Sequence, residues 1–119
     1  MHSRRTVLVV DDDESVREVL RHSLENNGHL VTCCADGEAA LRMARERSFD
    51  AVVTDYRMPS INGAIVAGTI RVLHPRAIII GISGSDDGGN LLEAGAHVFL
   101  KKPIDFDRLS SILGEGRPL

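Results

Sequence analysis

In Val7-Leu8-Val9-Val10-Asp11-Asp12-Asp13 four consecutive aliphatic residues stop at three carboxylates. A run that is apolar at every position, rather than at alternate ones, suits a strand covered on both faces. Four further runs share this character, at residues 30–34, 51–54, 77–82 and 97–100. The five starts, at residues 7, 30, 51, 77 and 97, lie 20 to 26 residues apart, and each interval holds one helix-sized segment. Apolar strands alternating with helices read as βαβ units around a buried parallel sheet.

The intervening helices follow from periodicity and end signals. Residues 14–27 place Val16, Val19, Leu20 and Leu24 on one face, and Gly28 suits the position after the helix end. Asp36 caps a helix running to about residue 47, with Ala40, Met43 and Ala44 inward. A third helix covers 64–73 and stops before Pro75. A weak fourth covers 86–94, loosened by Gly88 and Gly89. The fifth covers 105–113, with Phe106, Leu109, Ile112 and Leu113 at helical spacing, and the tail 114–119 is expected to fray. The fold class is therefore α/β: a (βα)5 unit with one sheet between two helix layers.

Composition sets the outer bounds. A chain of 119 residues suits one domain, residues 1–119 with an ordered core of about 6–113. Area scaling lets such a chain bury roughly two-thirds of its surface. Hydrophobic residues at 43% and charged residues at 26% exclude gross disorder. No window approaches the ~20 apolar residues of a membrane span, and no signal peptide precedes the first strand. The net charge of −3 argues against nucleic acid as a direct partner. Cys33 and Cys34 are adjacent, so a strand points them to opposite faces; unpaired thiols fit a reducing, cytoplasmic setting.

In open sheets of this kind the reactive crevice lies beyond the carboxyl ends of the strands. There the first strand delivers Asp11, Asp12 and Asp13, the third Asp55, the fourth Ser83 with Gly84 behind it, and the fifth Lys101 and Lys102, the chain's two lysines. Two carboxylates ~5 Å apart repel by roughly 3 kcal/mol at an effective dielectric near 20. Asp11, Asp12 and Asp55 together need offsetting charge, from Lys102 and from a hard divalent cation. Mg²⁺ suits carboxylates plus phosphate oxygens and water, whereas zinc fits poorly because no His or Cys joins the group. A carboxylate beside Mg²⁺ can attack a phosphoryl group and form an aspartyl phosphate; Lys102 and the Ser83 hydroxyl would receive the phosphoryl oxygens. Asp13 reads as the cap of the first helix rather than as a ligand. His22, His29, His74 and His97 read as surface residues, since none is spaced as a metal pair.

These motifs, Val7-Leu8-Val9-Val10-Asp11-Asp12, Thr54-Asp55-Tyr56-Arg57-Met58-Pro59, Ile82-Ser83-Gly84, Gly95-Ala96 and Lys102-Pro103, resemble in order and spacing the receiver domains of two-component response regulators. The resemblance runs from about Thr6 to Leu113. It implies a flavodoxin-like doubly wound sheet of strand order 2-1-3-4-5. It also implies Asp55 as phosphoacceptor, Asp12 as a direct Mg²⁺ ligand, Asp11 acting through metal-bound water, and Arg57 offering its backbone carbonyl. Ser83 would be the switch hydroxyl and Phe99 the switch aromatic. Lys102 would pair with Asp55 and then with the phosphoryl oxygens, at a lysine–proline peptide that is often cis in the family. The implied partners are a sensor histidine kinase or phosphotransfer protein, and a downstream protein or an output domain on the face of the fourth helix, fifth strand and fifth helix. A monomer or a phosphorylation-dependent dimer fits, and the chemistry is self-catalysed rather than that of a turnover enzyme.

Three features depart from the family pattern. Ser83 and Gly95 are 12 residues apart, about one helical turn fewer than in most relatives, so the fourth helix should be short or partly irregular. Phe99 lacks the commoner tyrosine's hydroxyl. Asn62 stands where an acid often precedes the glycine, and a loop or capping role explains either residue. Two other readings remain open here. Asp11-Asp12-Asp13-Glu14-Ser15 nearly fits the two-aspartate motif of haloacid-dehalogenase-like phosphatases, with Asp11 as nucleophile, but the chain is short, lacks an acid pair after Lys102 and leaves Asp55 unexplained. A receiver-like scaffold that is never phosphorylated would not need the complete acid, hydroxyl and lysine set. Neither a Walker A loop nor a G-x-G-x-x-G motif follows the first strand, which excludes the common nucleotide-binding patterns.

Overall fold

The computed structural model describes residues 4–114, so the expected fraying of the tail lies outside the described residues beyond Gly114. Strand β1 (Thr6–Val10), helix α1 (Glu14–Asn26), β2 (Leu30–Cys34), α2 (Gly37–Glu46), β3 (Ala51–Asp55), α3 (Gly63–Leu73), β4 (Ile78–Ser83), α4 (Gly88–Ala94), β5 (Val98–Lys101) and α5 (Phe106–Gly114) follow in order. All four strand pairings are parallel, and the sheet order is β2-β1-β3-β4-β5. The expected fold class and strand order are those observed. Among the described residues no helix is long and apolar enough to cross a membrane.

Strand alternation divides the interior into two cores. Val7, Val9, Ala51, Val53, Ile78, Ile80 and Ile82 face the side covered by Leu20 and Leu24 of α1 and Leu109 and Leu113 of α5. Leu8, Val10, Val52 and Ile79 face the opposite side, under Ala40 and Ala44 of α2, Val66, Ala67 and Ile70 of α3, and Leu91 of α4. Cys34 belongs to one core and Cys33 packs against the other, so the adjacent thiols point apart and both are free. Burial, reinforced by Asp36, pushes the Cys34 thiol up to about 12, which leaves it unreactive at neutral pH.

Local chemistry sets the helix ends. Asp13 caps α1 by accepting the Ser15 and Val16 N–H groups at 2.8 and 3.4 Å. Asp36 accepts the Ala39 N–H at 2.7 Å, and Asn62 accepts those of Ala64 and Ile65 at 2.9 and 3.1 Å. Asn62 is thus the cap of α3, which starts one residue earlier than expected. Gly28, at φ +90°, turns the chain out of α1 in the left-handed region that glycine enters without steric cost.

Several expectations need correction. The fourth helix spans Gly88–Ala94, seven residues, and not 86–94; Asp86 and Asp87 precede it. Its short span is matched by Gly81 on β4, where a Cβ would lie 2.7 Å from Leu91 Cδ1. The missing side chain lets Leu91 settle directly on the sheet, fully buried. Val19 is 53% exposed rather than core, because α1 contacts the sheet through the narrower stripe of Val16, Leu20 and Leu24. It borders an open apolar hollow of about 270 Å³ with Leu20, Pro103, Ile104 and Phe106. His29 is buried, its Nδ1 accepting the Arg5 N–H at 3.1 Å. His97 is half-buried: Nδ1 accepts the Ile79 N–H at 3.0 Å, and Nε2 meets the Arg71 guanidinium at 2.7 Å. His74 is half-buried with Nε2 2.6 Å from the Ala44 carbonyl. These histidines serve backbone groups at element ends, a role that carries no periodic signal.

Candidate functional site

Three strand ends converge. Asp11 and Asp12 follow β1, Asp55 closes β3, and Lys102 follows β5. One carboxylate oxygen from each of Asp11, Asp12 and Asp55 lies within 4.8 Å of the other two. Asp11 has no exposed surface, Asp55 is 6% exposed, and Asp12 is open to solvent. The Lys102 ammonium lies 3.2 Å from Asp11 Oδ2 and 3.5 Å from Asp55 Oδ2. The lysine therefore sits nearer Asp11 than the expected Asp55 pairing suggests, and it bridges both. The Lys102–Pro103 peptide is cis.

Backbone donors hold the remaining oxygens. Asp11 Oδ1 accepts the Asp13 N–H at 2.9 Å, and Asp55 Oδ1 accepts the Tyr56 N–H at 2.9 Å. Gly63 packs directly beneath Asp55: a Cβ there would fall 2.1 Å from the Asp55 carbonyl oxygen, and the Gly63 N–H donates to the Tyr56 carbonyl at 2.8 Å. The start of α3 thereby fixes the backbone that carries the acid.

The charge balance is incomplete. Burial first, and then the Asp11 carboxylate, raise the Asp55 carboxyl from 3.8 to about 6; Lys102 and the Tyr56 N–H pull it down but do not compensate. Burial opposes the charge on Lys102, yet Asp11 and Asp55 outweigh it and hold the ammonium above its ordinary value. One cation shared by clustered acids leaves negative charge that a metal ion can balance, and three oxygen donors with one exposed member form an accessible hard-ligand set.

The other expected residues are at the same edge but otherwise engaged. Ser83 is buried, and its hydroxyl donates to Asp87 Oδ2 at 2.7 Å and accepts the Ser85 N–H at 3.1 Å. Arg57, exposed and two residues past Asp55, directs its guanidinium to Asp87, with Nε 3.2 Å from Oδ2 and a terminal nitrogen 3.3 Å from Oδ1. Phe99 is half-buried against Gly88, where a Cβ would lie 2.6 Å from its ring. Among the described residues, a Cβ built on Gly84 meets nothing within 4 Å beyond its own chain neighbours, consistent with open space beside Ser83. Asp87 is the residue that sequence reasoning misses. Its signal was a second acid in Ser83-Gly84-Ser85-Asp86-Asp87, four residues beyond the hydroxyl.

A family model described as the response regulator receiver domain matches residues 7–114. The chain belongs to this family. It is a receiver domain of two-component systems, and its acidic pocket of Asp11, Asp12 and Asp55 fits a phosphoacceptor site. It is 37% identical over 110 residues to the transcriptional regulatory protein ZraR of Salmonella typhimurium, covering 90% of this chain and 25% of ZraR. It is 38% identical over 119 residues to the virulence sensor protein BvgS of Bordetella bronchiseptica, covering 92% of this chain and 10% of BvgS. The chain thus spans about a quarter or less of the length of these relatives. Among solved structures, it is similar to the receiver domain of the sensor histidine kinase PA1611 from Pseudomonas aeruginosa, which has a magnesium ion coordinated in its active site cleft (TM-score 0.86, 30% identity, 96% of this chain and 98% of that one). It is also similar to the chemotaxis protein CheY4 of Vibrio cholerae (TM-score 0.85, 27% identity, 96% of this chain and 99% of that one). The family match runs from β1 through α5 and so takes in every strand end.

Proposed function

We propose that Asp55 is the phosphoacceptor of a phosphorylation-controlled switch, and that the donor is a phosphohistidine on a sensor histidine kinase or phosphotransfer protein. The carrying observation is that three carboxylates cluster at the ends of two adjacent strands, and that the Lys102 ammonium pairs with two of them, Asp11 and Asp55. A carboxylate oxygen of Asp55 attacks phosphorus, the phosphorus–nitrogen bond breaks, and the histidine nitrogen leaves with the bonding pair. The product is an acyl phosphate on Asp55. Lys102 remains within reach of Asp55 and receives the charge that develops on the phosphoryl oxygens. Asp11, Asp12, Asp55 and the Arg57 carbonyl would hold Mg²⁺, which supplies charge neutralisation at the phosphoryl oxygens when bound. Ser83 and Phe99 are the switch pair, and the face of α4, β5 and α5 is the output surface for a downstream protein or a linked domain. Water attacking phosphorus breaks its bond to the Asp55 oxygen, releases inorganic phosphate and returns the resting carboxylate, so the chemistry acts on the protein itself.

The phosphatase alternative requires Asp11 to reach a substrate, and Asp11 has no exposed surface. Intact-mass measurement after incubation with acetyl phosphate tests the proposal. A gain of one phosphoryl group that requires Mg²⁺ and disappears in Asp55→Asn is expected. Labelling that persists in Asp55→Asn but vanishes in Asp11→Asn overturns it.

A further inference from the structure

Asp87 occupies the N-cap position of α4, where an aspartate ordinarily accepts an N–H of its own helix. Here its side chain makes no such bond, although the residue is only 6% exposed. Its two oxygens instead take the Ser83 hydroxyl and the Arg57 guanidinium. Three separate segments are thereby tied to one carboxylate: the end of β4, the loop after β3 and the first turn of α4.

We propose that Asp87 is a positioning residue that holds the domain in its unphosphorylated arrangement by competing with the phosphoryl group for Ser83 and Arg57. This rests on Asp55 being the phosphoacceptor. A hydroxyl has one proton to donate, and in this arrangement Ser83 gives it to Asp87. A phosphoryl group on Asp55 brings about −1.5 to −2 charge and three acceptor oxygens to the same edge. Transfer of Ser83 to those oxygens takes from Asp87 its shortest hydrogen bond, and transfer of Arg57 takes its ion pair. A buried carboxylate stripped of both partners is strongly disfavoured, so it moves toward solvent and carries the first turn of α4 with it. The next residue, Gly88, is the surface on which the Phe99 ring rests. Displacement of that turn therefore removes the seat of Phe99. In this way the carboxylate links the hydroxyl to the aromatic through the shortened helix.

The test is affinity for beryllofluoride, a phosphoryl mimic, in the presence of Mg²⁺, for wild type, Asp87→Ala and Asp87→Asn. The emission of Tyr56 reports it, because this is the chain's one tyrosine, it adjoins Asp55 and there is no tryptophan. Loss of the competitor should tighten binding about tenfold in Asp87→Ala, the equivalent of about one hydrogen bond to a charged group. Asp87→Asn, which keeps an acceptor for Ser83 but loses the charge facing Arg57, should fall between. Asp86→Asn removes the same charge from the exposed neighbour and should match wild type. Both Asp87 variants should also melt at a lower temperature than wild type. Tighter binding from a less stable protein is the signature, since a merely structural role would weaken both. Equal or weaker binding in both Asp87 variants, with wild type binding normally, overturns the role of Asp87 alone. Absence of binding in wild type overturns the phosphoacceptor reading and this inference with it.

Discussion

Replacement of Asp55 by asparagine should stabilise the metal-free domain at neutral pH and should do so in a pH-dependent way. Burial, and secondarily Asp11, raise the Asp55 carboxyl from 3.8 to about 6. In the unfolded chain the group returns to its ordinary value. Between about pH 4 and pH 6 the native state therefore binds the proton more firmly than the unfolded state, and stability falls as pH rises through that window. A displacement of about 2 units corresponds to about 3 kcal/mol as an upper figure. Contact with the exposed mouth at Asp12 lowers this, and about 1–3 kcal/mol is expected. Asparagine cannot ionise and carries no such penalty. The assay is urea unfolding followed by circular dichroism at a series of pH values, in a chelator. With a urea slope of about 1–3 kcal/mol per molar, the variant's midpoint should gain roughly 1 M on wild type between pH 4 and pH 7. Millimolar Mg²⁺ should close the gap by raising wild type alone, because a ligand that binds only the native state stabilises it. A midpoint difference that stays constant from pH 4 to pH 7 would refute the reasoning, since Asp55 would then ionise as freely folded as unfolded.

Three further outcomes follow from individual contacts. Gly63→Ala forces a Cβ to within 2.1 Å of the Asp55 carbonyl oxygen, against the Asp55–Tyr56 backbone rather than a flexible side chain that could yield; a loss of about 3 kcal/mol or more is expected in thermal melts, whereas Gly84→Ala, which meets no such neighbour, should stay within about 0.5 kcal/mol of wild type. Asp13→Ala removes the α1 cap and should cost about 1 kcal/mol while leaving acetyl phosphate labelling intact, which separates this acid from Asp11 and Asp12. Lys102→Met removes a group that pulls the Asp55 carboxyl down, so the pH at which labelling reaches half its plateau should move upward.

Much of the fold was legible because its signals are local. An apolar run of four to six residues is a property of neighbours in sequence, and so is a carboxylate that ends it. The caps Asp13, Asp36 and Asn62 act within three residues of themselves. Burial of individual side chains was less legible. Val19 fits the helical stripe of α1 by spacing, yet its exposure depends on how α1 leans on the sheet and on the loop around Pro103 and Ile104. His97 reads as a surface residue from sequence because nothing adjacent to it reveals that Ile79 presents its N–H to Nδ1 and that Arg71 of α3 meets Nε2.

The same division runs through the site. The chain alone determines which groups arrive at the carboxyl edge of the sheet, because each is the residue that stops a strand. Only the packed molecule decides how they share protons and charge. Lys102 reaches across 91 residues to Asp11 and sits closer to it than to Asp55. Asp87 draws Arg57 over 30 residues and takes the Ser83 hydroxyl's hydrogen bond. Hydrogen bonds and ion pairs depend on distances of a few tenths of an ångström, and such distances between remote segments exist only once the helices have settled on the sheet.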